Sequence, residues 1–453
     1  NFILDKKSEN LIQNIIKNID SFIEIVLIAF LQITSQIFFI FLITILLFVS
    51  NPVIFIYLII FLILFVIYYF YRYRKRFIIL GKYNVDFQKK IISLSSQAIK
   101  GIKEIKIYKL EKFFFSNLKE KSSKYASALV SYKSSIIVPR MTLETMVIFF
   151  VVIISVYNFS NNKQLTSIIP SLSLFAVSII RLLPSINIFT TSILSIRYAT
   201  PVIDDLYYDL LDHEDSIFKI PNNTNYFGDF NDFEIQNLSF LYDKSSSLKI
   251  LEDITLKISK NKIIGIYGIS GSGKTTLMNI MLGLLESDSG KILINKIEIN
   301  KNNLGDWQNK IAYVPQESFL IEGTISENIA IGKSAYEIDK IKLKKAIELS
   351  ALSGFVNKLD KGLDTILNND ATNISGGEKQ RISFARSIYF EKEIIFLDEP
   401  TSFLDKKTEK ILSNSINKLK NNKTFIVISH NPSFIDQCDE IYKIENKKLL
   451  KIK

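Results

Sequence analysis

The chain has 453 residues, 48% of them hydrophobic, with 34 Phe against 16 Gly and 9 Pro. That is too long for one ordinary domain and too apolar for a disordered chain. The formal net charge is +11, which taken alone fits a nucleic-acid partner or a membrane surface equally. Its distribution decides: residues 72–133 carry 16 basic and 4 acidic side chains, so the excess is one block. The single cysteine, Cys438, excludes an internal disulfide framework and any multi-cysteine metal site. With only two histidines, His213 and His430, a His-rich metal centre is excluded as well.

The apolar segments come first along the chain. Val53 to Tyr71 is nineteen residues without a charge, about 28 Å as a helix, which matches a bilayer core. Residues 25–49 form a second such segment, and the Ser50-Asn51-Pro52 turn makes the pair a helical hairpin. We expect two further spans, at about 137–157 and 168–196. The second of these is interrupted by Pro170, Arg181 and Pro184. Ionisable residues in lipid are costly, so Arg181 and Arg140 are expected to face a wet cavity or to snorkel to the interface. Arg72 to Arg76 directly follows the 53–71 span and marks its cytoplasmic end. Residues 72–135 have helical spacing and are expected to extend the spans into the cytoplasm. The expected division is a membrane domain over 1–200, a linker over 201–232 and a domain of different texture over 233–453.

In this last part, short β-type runs alternate with helical stretches, the pattern of an α/β domain. Gly268-Ile-Ser270-Gly271-Ser272-Gly273-Lys274-Thr275 fits the phosphate-binding loop G-x-x-x-x-G-K-[ST], between an apolar strand and a helix that opens with Thr275 and Thr276. Backbone N–H groups of such a loop close around phosphates, and the helix N-terminus adds its dipole. Lys274 is expected on the β- and γ-phosphates and the Thr275 hydroxyl on Mg²⁺. Asp398 and Glu399 end an apolar strand. Asp398 suits Mg²⁺ held through water, and Glu399 suits a general base for the attacking water.

Between these motifs, Ile374-Ser375-Gly376-Gly377-Glu378 resembles the signature of the ABC transporter family. That resemblance implies a role for several further residues. Tyr242 would stack on adenine. Gln316 would sense Mg²⁺ and meet the membrane domain, Asp405 would lie in the loop joining two nucleotide sites, and His430 would contact the γ-phosphate. Ser375, Gly376, Gly377 and Glu378 would act on the ATP of a second copy or related partner, a homodimer being expected. Glu378 departs from the family's glutamine, and the Asn368-Asn369-Asp370-Ala371 stretch departs from its Gly-Glu pair. The implied architecture is an all-α transmembrane bundle followed by an α/β ATPase domain, the arrangement of an exporter-type half-transporter in the inner membrane. Four of the family's six spans are recognisable, which together with Asn1 in place of Met suggests an N-terminally truncated chain.

Segments such as Gly101 to Phe113, Phe175 to Ile186 and Ser195 to Tyr198 resemble bacterial flippases of lipid-linked oligosaccharides. This implies a pyrophosphate-bearing glycolipid substrate met by Arg181 or Arg140. A general lipid, multidrug or peptide exporter is the alternative, and a soluble ATPase acting on nucleic acid is disfavoured by the placement of the charge.

Overall fold

Long runs of Ile, Leu, Phe and Val with no nearby glycine favour helices that satisfy all their own backbone hydrogen bonds, and the N-terminal half consists of such helices. The computed structural model describes residues 13–50, 52–160, 165–214, 226–242, 249–368, 371 and 373–453. The chain divides into two units, Asn1–Ile217 and Phe218–Lys453.

The first unit opens with two π-helical turns, Asn14–Asn18 and Phe22–Leu27, on either side of the short helix Ile19–Ser21. There follow α1 (Ile28–Ser50), α2 (Pro52–Lys100), α3 (Ile102–Ile107), α4 (Glu111–Ser160) and α5 (Leu165–Glu214). Among the described residues, Asn14–Val49, Phe55–Lys100 and Val177–Leu211 are long and apolar enough to cross a membrane. A small interior cluster of Leu47, Leu58, Leu62, Leu143, Ile179 and Leu182 joins α1, α2, α4 and α5. Many other large apolar side chains, Phe38, Leu64, Ile148 and Ile180 among them, point outward, as expected of helices whose solvent is lipid. Further along α2, the Tyr69 hydroxyl donates to the Ser135 carbonyl at 2.5 Å. The Tyr132 and Tyr198 rings stack at 3.7 Å, and Lys89 pairs with Asp205 at 2.6 Å. At Gly81 a Cβ would lie 2.0 Å from the Tyr198 carbonyl oxygen, so glycine is what lets α2 and α5 approach there.

One expectation from sequence is corrected here. Pro170, Arg181 and Pro184 do not break the fourth span, because α5 runs unbroken through them and on past Pro201 to Glu214. After Pro184 the hydroxyls of Ser185, Thr190 and Thr191 bond back to the carbonyls of Arg181, Ile186 and Asn187 one turn earlier, and Ile179, Leu182 and Ile186 pack into the interior cluster on either side of the proline.

The second unit has a four-stranded antiparallel sheet in the order Leu251–Ser259, Asp232–Phe240, Ser289–Ile294, Ile297–Glu298. Its main sheet has six strands in the order Lys448–Lys451, Glu440–Glu445, Ile263–Gly268, Thr424–Ile428, Ile394–Asp398, Ile311–Val314. All pairs in the main sheet are parallel except the edge pair formed by Lys448–Lys451. Ile394–Asp398 and Thr424–Ile428 are buried along their whole length, as the interior strands of a parallel sheet must be. In register, Asp398 lies opposite Ile428, and Ile428 opposite Ile266. The carboxyl ends of three adjacent strands therefore meet at one edge, where ligands of open α/β sheets bind. Beneath the antiparallel sheet, Trp307 stacks on Phe233 with centroids 5.4 Å apart and donates its indole N–H to the Met281 carbonyl at 2.8 Å.

Phe233 is fully buried in this cluster. Phe233→Ala is expected to destabilise the unit by about 3–5 kcal/mol. Trp307 is the chain's single tryptophan, so its fluorescence reports the lowered denaturant midpoint. An unmoved midpoint would mean that the two sheets do not depend on this stack.

Candidate nucleotide site

The strand Ile263–Gly268 runs into the phosphate loop, and the helix Lys274–Met281 leaves it. Gly271 and Gly273 take left-handed φ values of +78° and +98°, a turn that aims backbone N–H groups inward and that residues with a Cβ resist. A Cβ at Gly268 would lie 2.7 Å from the Ile444 carbonyl oxygen. Ser270 and Thr275 are exposed, whereas Thr276 is buried and meets the Tyr242 hydroxyl at 3.2 Å. The Ser272 hydroxyl is buried with no hydrogen-bond partner.

Lys274 is 7% exposed, and its ammonium donates to the carbonyls of Gly268 and Ile269 at 2.9 Å each. Burial pulls its pKa down, an effect opposed by the carboxylates of Glu399 and Asp398. Asp398 is 5% exposed. Burial pushes its carboxyl above the usual range, and the adjacent Glu399 adds to the shift while Lys274 opposes it. Tyr313, which sequence reading passed over as a neighbour of Gln316, hydrogen-bonds Asp398. Its own hydroxyl is pushed up to about 12, first by burial and then by that carboxylate. No local signal marks it in the sequence, because the pairing of its strand with the acid-ending strand joins segments far apart along the chain.

Glu399 follows Asp398 with a left-handed backbone, φ +48°. Its Oε2 accepts from Gln316 Nε2 at 3.0 Å, and its Oε1 lies 3.2 Å from His430 Nε2. Lys274, Asp398, Glu399, Gln316 and His430 are thus one group. The Thr275 hydroxyl, the Asp398 carboxylate and the Gln316 amide oxygen are hard oxygen donors of the kind that suits Mg²⁺ alongside phosphate oxygens. A cation there would offset the burial and the neighbouring Glu399 charge that together raise the Asp398 pKa.

The signature residues lie elsewhere. Ser375 is the N-cap of the helix Gly376–Tyr389 in a reciprocal capping box. Its hydroxyl accepts from the Glu378 N–H at 3.3 Å, and the Glu378 carboxylate accepts from the Ser375 N–H at 2.7 Å. A carboxylate fulfils this task, which gives the departure at Glu378 a local structural use. A Cβ at Gly377 would lie 2.8 Å from the Phe403 carbonyl oxygen, so the signature glycines make room for the loop that ends at Asp405. Asp405 in turn caps the helix Lys406–Leu419 through the N–H groups of Lys407 and Thr408. Of the unusual loop, Asn368 donates its N–H to Asn373 at 3.3 Å; Asn369 and Asp370 lie outside the described residues.

In the first unit, Arg140 pairs with Glu144 one turn away at 2.9 Å. With Leu143, Pro184 and Asn187 these two line a cavity between α4 and α5. Arg181 is exposed on α5 and is not part of that lining. The two arginines singled out from sequence are therefore not brought to one cavity.

A glutamate held between an amide and an imidazole beside a lysine-bearing phosphate loop has the chemistry that nucleoside triphosphate hydrolysis would need. Residues 251–402 match the family model described as ABC transporter. The second unit is thus an ABC transporter ATPase domain, preceded in this chain by a helical, apolar unit. The chain is 39% identical over 220 residues to an export ATP-binding/permease protein of Rickettsia typhi, covering 48% of this chain and 37% of that protein. It is 34% identical over 215 residues to the ATP-dependent lipid A-core flippase of Salmonella typhimurium, again covering 48% and 37%. These matches span well under two thirds of the relatives' lengths. The structure is similar to that of a bacterial Atm1-family ABC exporter with ATP bound, with a TM-score of 0.87 and 20% identity. That likeness covers 99% of this chain and 78% of the other, and it establishes the fold.

Alanine at Gly273 would have to hold a left-handed φ, at a cost of about 1–2 kcal/mol, and its methyl would lie 2.9 Å from Leu251 Cδ2. Gly273→Ala is therefore expected to weaken nucleotide binding about tenfold or more, measured by titration with a fluorescent ATP analogue. Affinity equal to that of the unaltered chain would show that the loop does not need this geometry.

Proposed function

We propose that this chain is one half of an ATP-driven exporter that works as a dimer, most simply a homodimer, and moves an amphipathic lipid-linked substrate across the inner membrane. The observation that carries the reading is the placement of Glu399 between Gln316 and His430, next to Lys274 and Asp398, in a chain that begins with membrane-length helices. Magnesium bound with the nucleotide would neutralise phosphate charge, held by Thr275, Asp398 and Gln316. Lys274 exchanges its two carbonyl partners for phosphate oxygens. Glu399 accepts the proton of the attacking water, and His430 steadies that carboxylate and meets the terminal phosphate. Tyr242 supplies an aromatic face for the base. Ser375, Gly376, Gly377 and Glu378 present a helix N-terminus to the nucleotide of the other half, while Asp405 sits in the loop between the two sites. The ATPase domain then lies in the cytoplasm, on the side of the Arg72–Arg76 block.

A lipid-linked oligosaccharide or glycolipid is the substrate class we favour. The resemblance to glycolipid flippases and the relative named as a lipid A-core flippase support it. Arg140 already has the Glu144 carboxylate as its partner, so Arg181 is the better placed to meet a pyrophosphate.

Glu399→Gln should still bind ATP while hydrolysing it at least about a hundredfold more slowly. It should accumulate an ATP-dependent dimer detectable by cross-linking; turnover at the normal rate would overturn the role given to Glu399. In vesicles, Arg181→Ala is expected to impair flipping of a pyrophosphate-linked glycolipid more than basal ATPase. An equal loss of both would assign Arg181 to packing instead.

A further inference from the structure

Gln380 lies one turn inside the helix that begins after Ser375, and it is 2% exposed. Its Nε2 donates to the backbone carbonyl of Glu399 at 2.7 Å, across nineteen residues of sequence. Its Oε1 is buried without a hydrogen-bond partner. A buried amide that leaves one of its own atoms unmet calls for an explanation in the bond its other atom makes.

That bond falls where the backbone needs it. Glu399 has φ +48°, a conformation that a side-chain-bearing residue holds only when its surroundings over-determine it. The peptide before it is fixed by Glu399 N–H donating to the Ile428 carbonyl at 2.8 Å. The peptide after it is fixed at its carbonyl, which accepts from Gln380, from the Ser402 N–H at 3.2 Å and from the Ser402 hydroxyl at 3.1 Å. The Ser402 contacts close a local turn three residues long, whereas Gln380 is the tether from another element. With both peptide planes set, the Cα–Cβ bond of Glu399 has one direction, and its carboxylate reaches Gln316 and His430 together.

We propose that Gln380 is a positioning residue for ATP hydrolysis. It aims the Glu399 carboxylate through the backbone and so ties the signature helix to the base of its own chain. Ser375 at the start of that helix and Glu399 at the sheet edge are then linked through one side-chain amide. Closure onto a nucleotide at the signature end is thereby passed to the base.

The inference rests on Glu399 being the base, and the test separates the two. The full chain is reconstituted in lipid and its ATPase measured against ATP concentration and pH. Gln380→Met keeps the length and removes the donor. Its kcat is expected to fall about tenfold or more, with KM for ATP within about twofold and the thermal unfolding midpoint unchanged. The carboxyl introduced by Gln380→Glu donates when neutral and opposes the Glu399 carbonyl when ionised, so its kcat relative to the unaltered chain should rise as pH is lowered. Wild-type kcat in Gln380→Met, or kcat falling only alongside the unfolding midpoint, would overturn the proposal, as would a pH-independent ratio in Gln380→Glu. If Gln380→Met does not fold, the ratio in Gln380→Glu decides. An unaltered chain without ATPase activity would refute the functional reading itself.

Discussion

Two nearly buried charges of opposite sign, Lys274 and Asp398, stand at the carboxyl edge of one parallel sheet, and the ATPase domain is arranged around their incomplete mutual compensation. Burial disfavours the charged form of each, and each favours the charge of the other. Two further carboxylate oxygens from Glu399 add negative charge next to Asp398. Phosphates and a divalent cation arriving together would supply what each side lacks, anionic oxygens for Lys274 and positive charge for the two acids. The apolar sheet beneath keeps water from doing the same, since Ile394–Leu397 and Phe425–Ile428 are all buried. The interior of the domain and the chemistry at its edge are thus linked through desolvation.

The helical unit answers a different solvent. Its outward side chains are apolar because lipid offers no hydrogen bonds. On α4 Arg140 pairs with Glu144, and on α5 the hydroxyls of Ser185, Thr190 and Thr191 bond their own backbone. Beyond the apolar stretch, aromatic and charged contacts take over the joining of α2 to α5: Tyr198 with Asn84, and Lys89 with Asp205. The basic block seen in composition therefore belongs to helices that continue past the lipid zone.

How much of this was legible in sequence depended on the range of the interaction. The phosphate loop was legible because left-handed glycines and a following helix are local requirements, and Asp398-Glu399 because an apolar run ending in acids is local too. The unbroken α5 was not. A proline reads as a breaker from its own ring and missing N–H, whereas the packing of Ile179, Leu182 and Ile186 around Pro184 depends on helices far away in sequence. Glu378 read as a departure from a family pattern, although Ser375-Gly-Gly-Glu378 also spells a capping box, whose two bonds the backbone shows made. Tyr313 was hidden because its meaning lies in the register between two strands far apart in sequence.

Gln380 is the sharpest instance. In the sequence it is one polar residue in a polar stretch between Lys379 and Arg381, where a solvated helix face is the natural expectation. Its burial follows from helical phase. Ser375 caps the helix and Glu378 turns back to the cap, so the next turn points Gln380 inward toward the strand end bearing Glu399. A left-handed glutamate at the end of a buried strand would relax toward an ordinary conformation if only its local turn restrained it. The carboxylate would then part from either Gln316 or His430. Holding it takes a donor from a separate, rigid element, and a helix whose first turn is already fixed by its own capping box is suited to supply one.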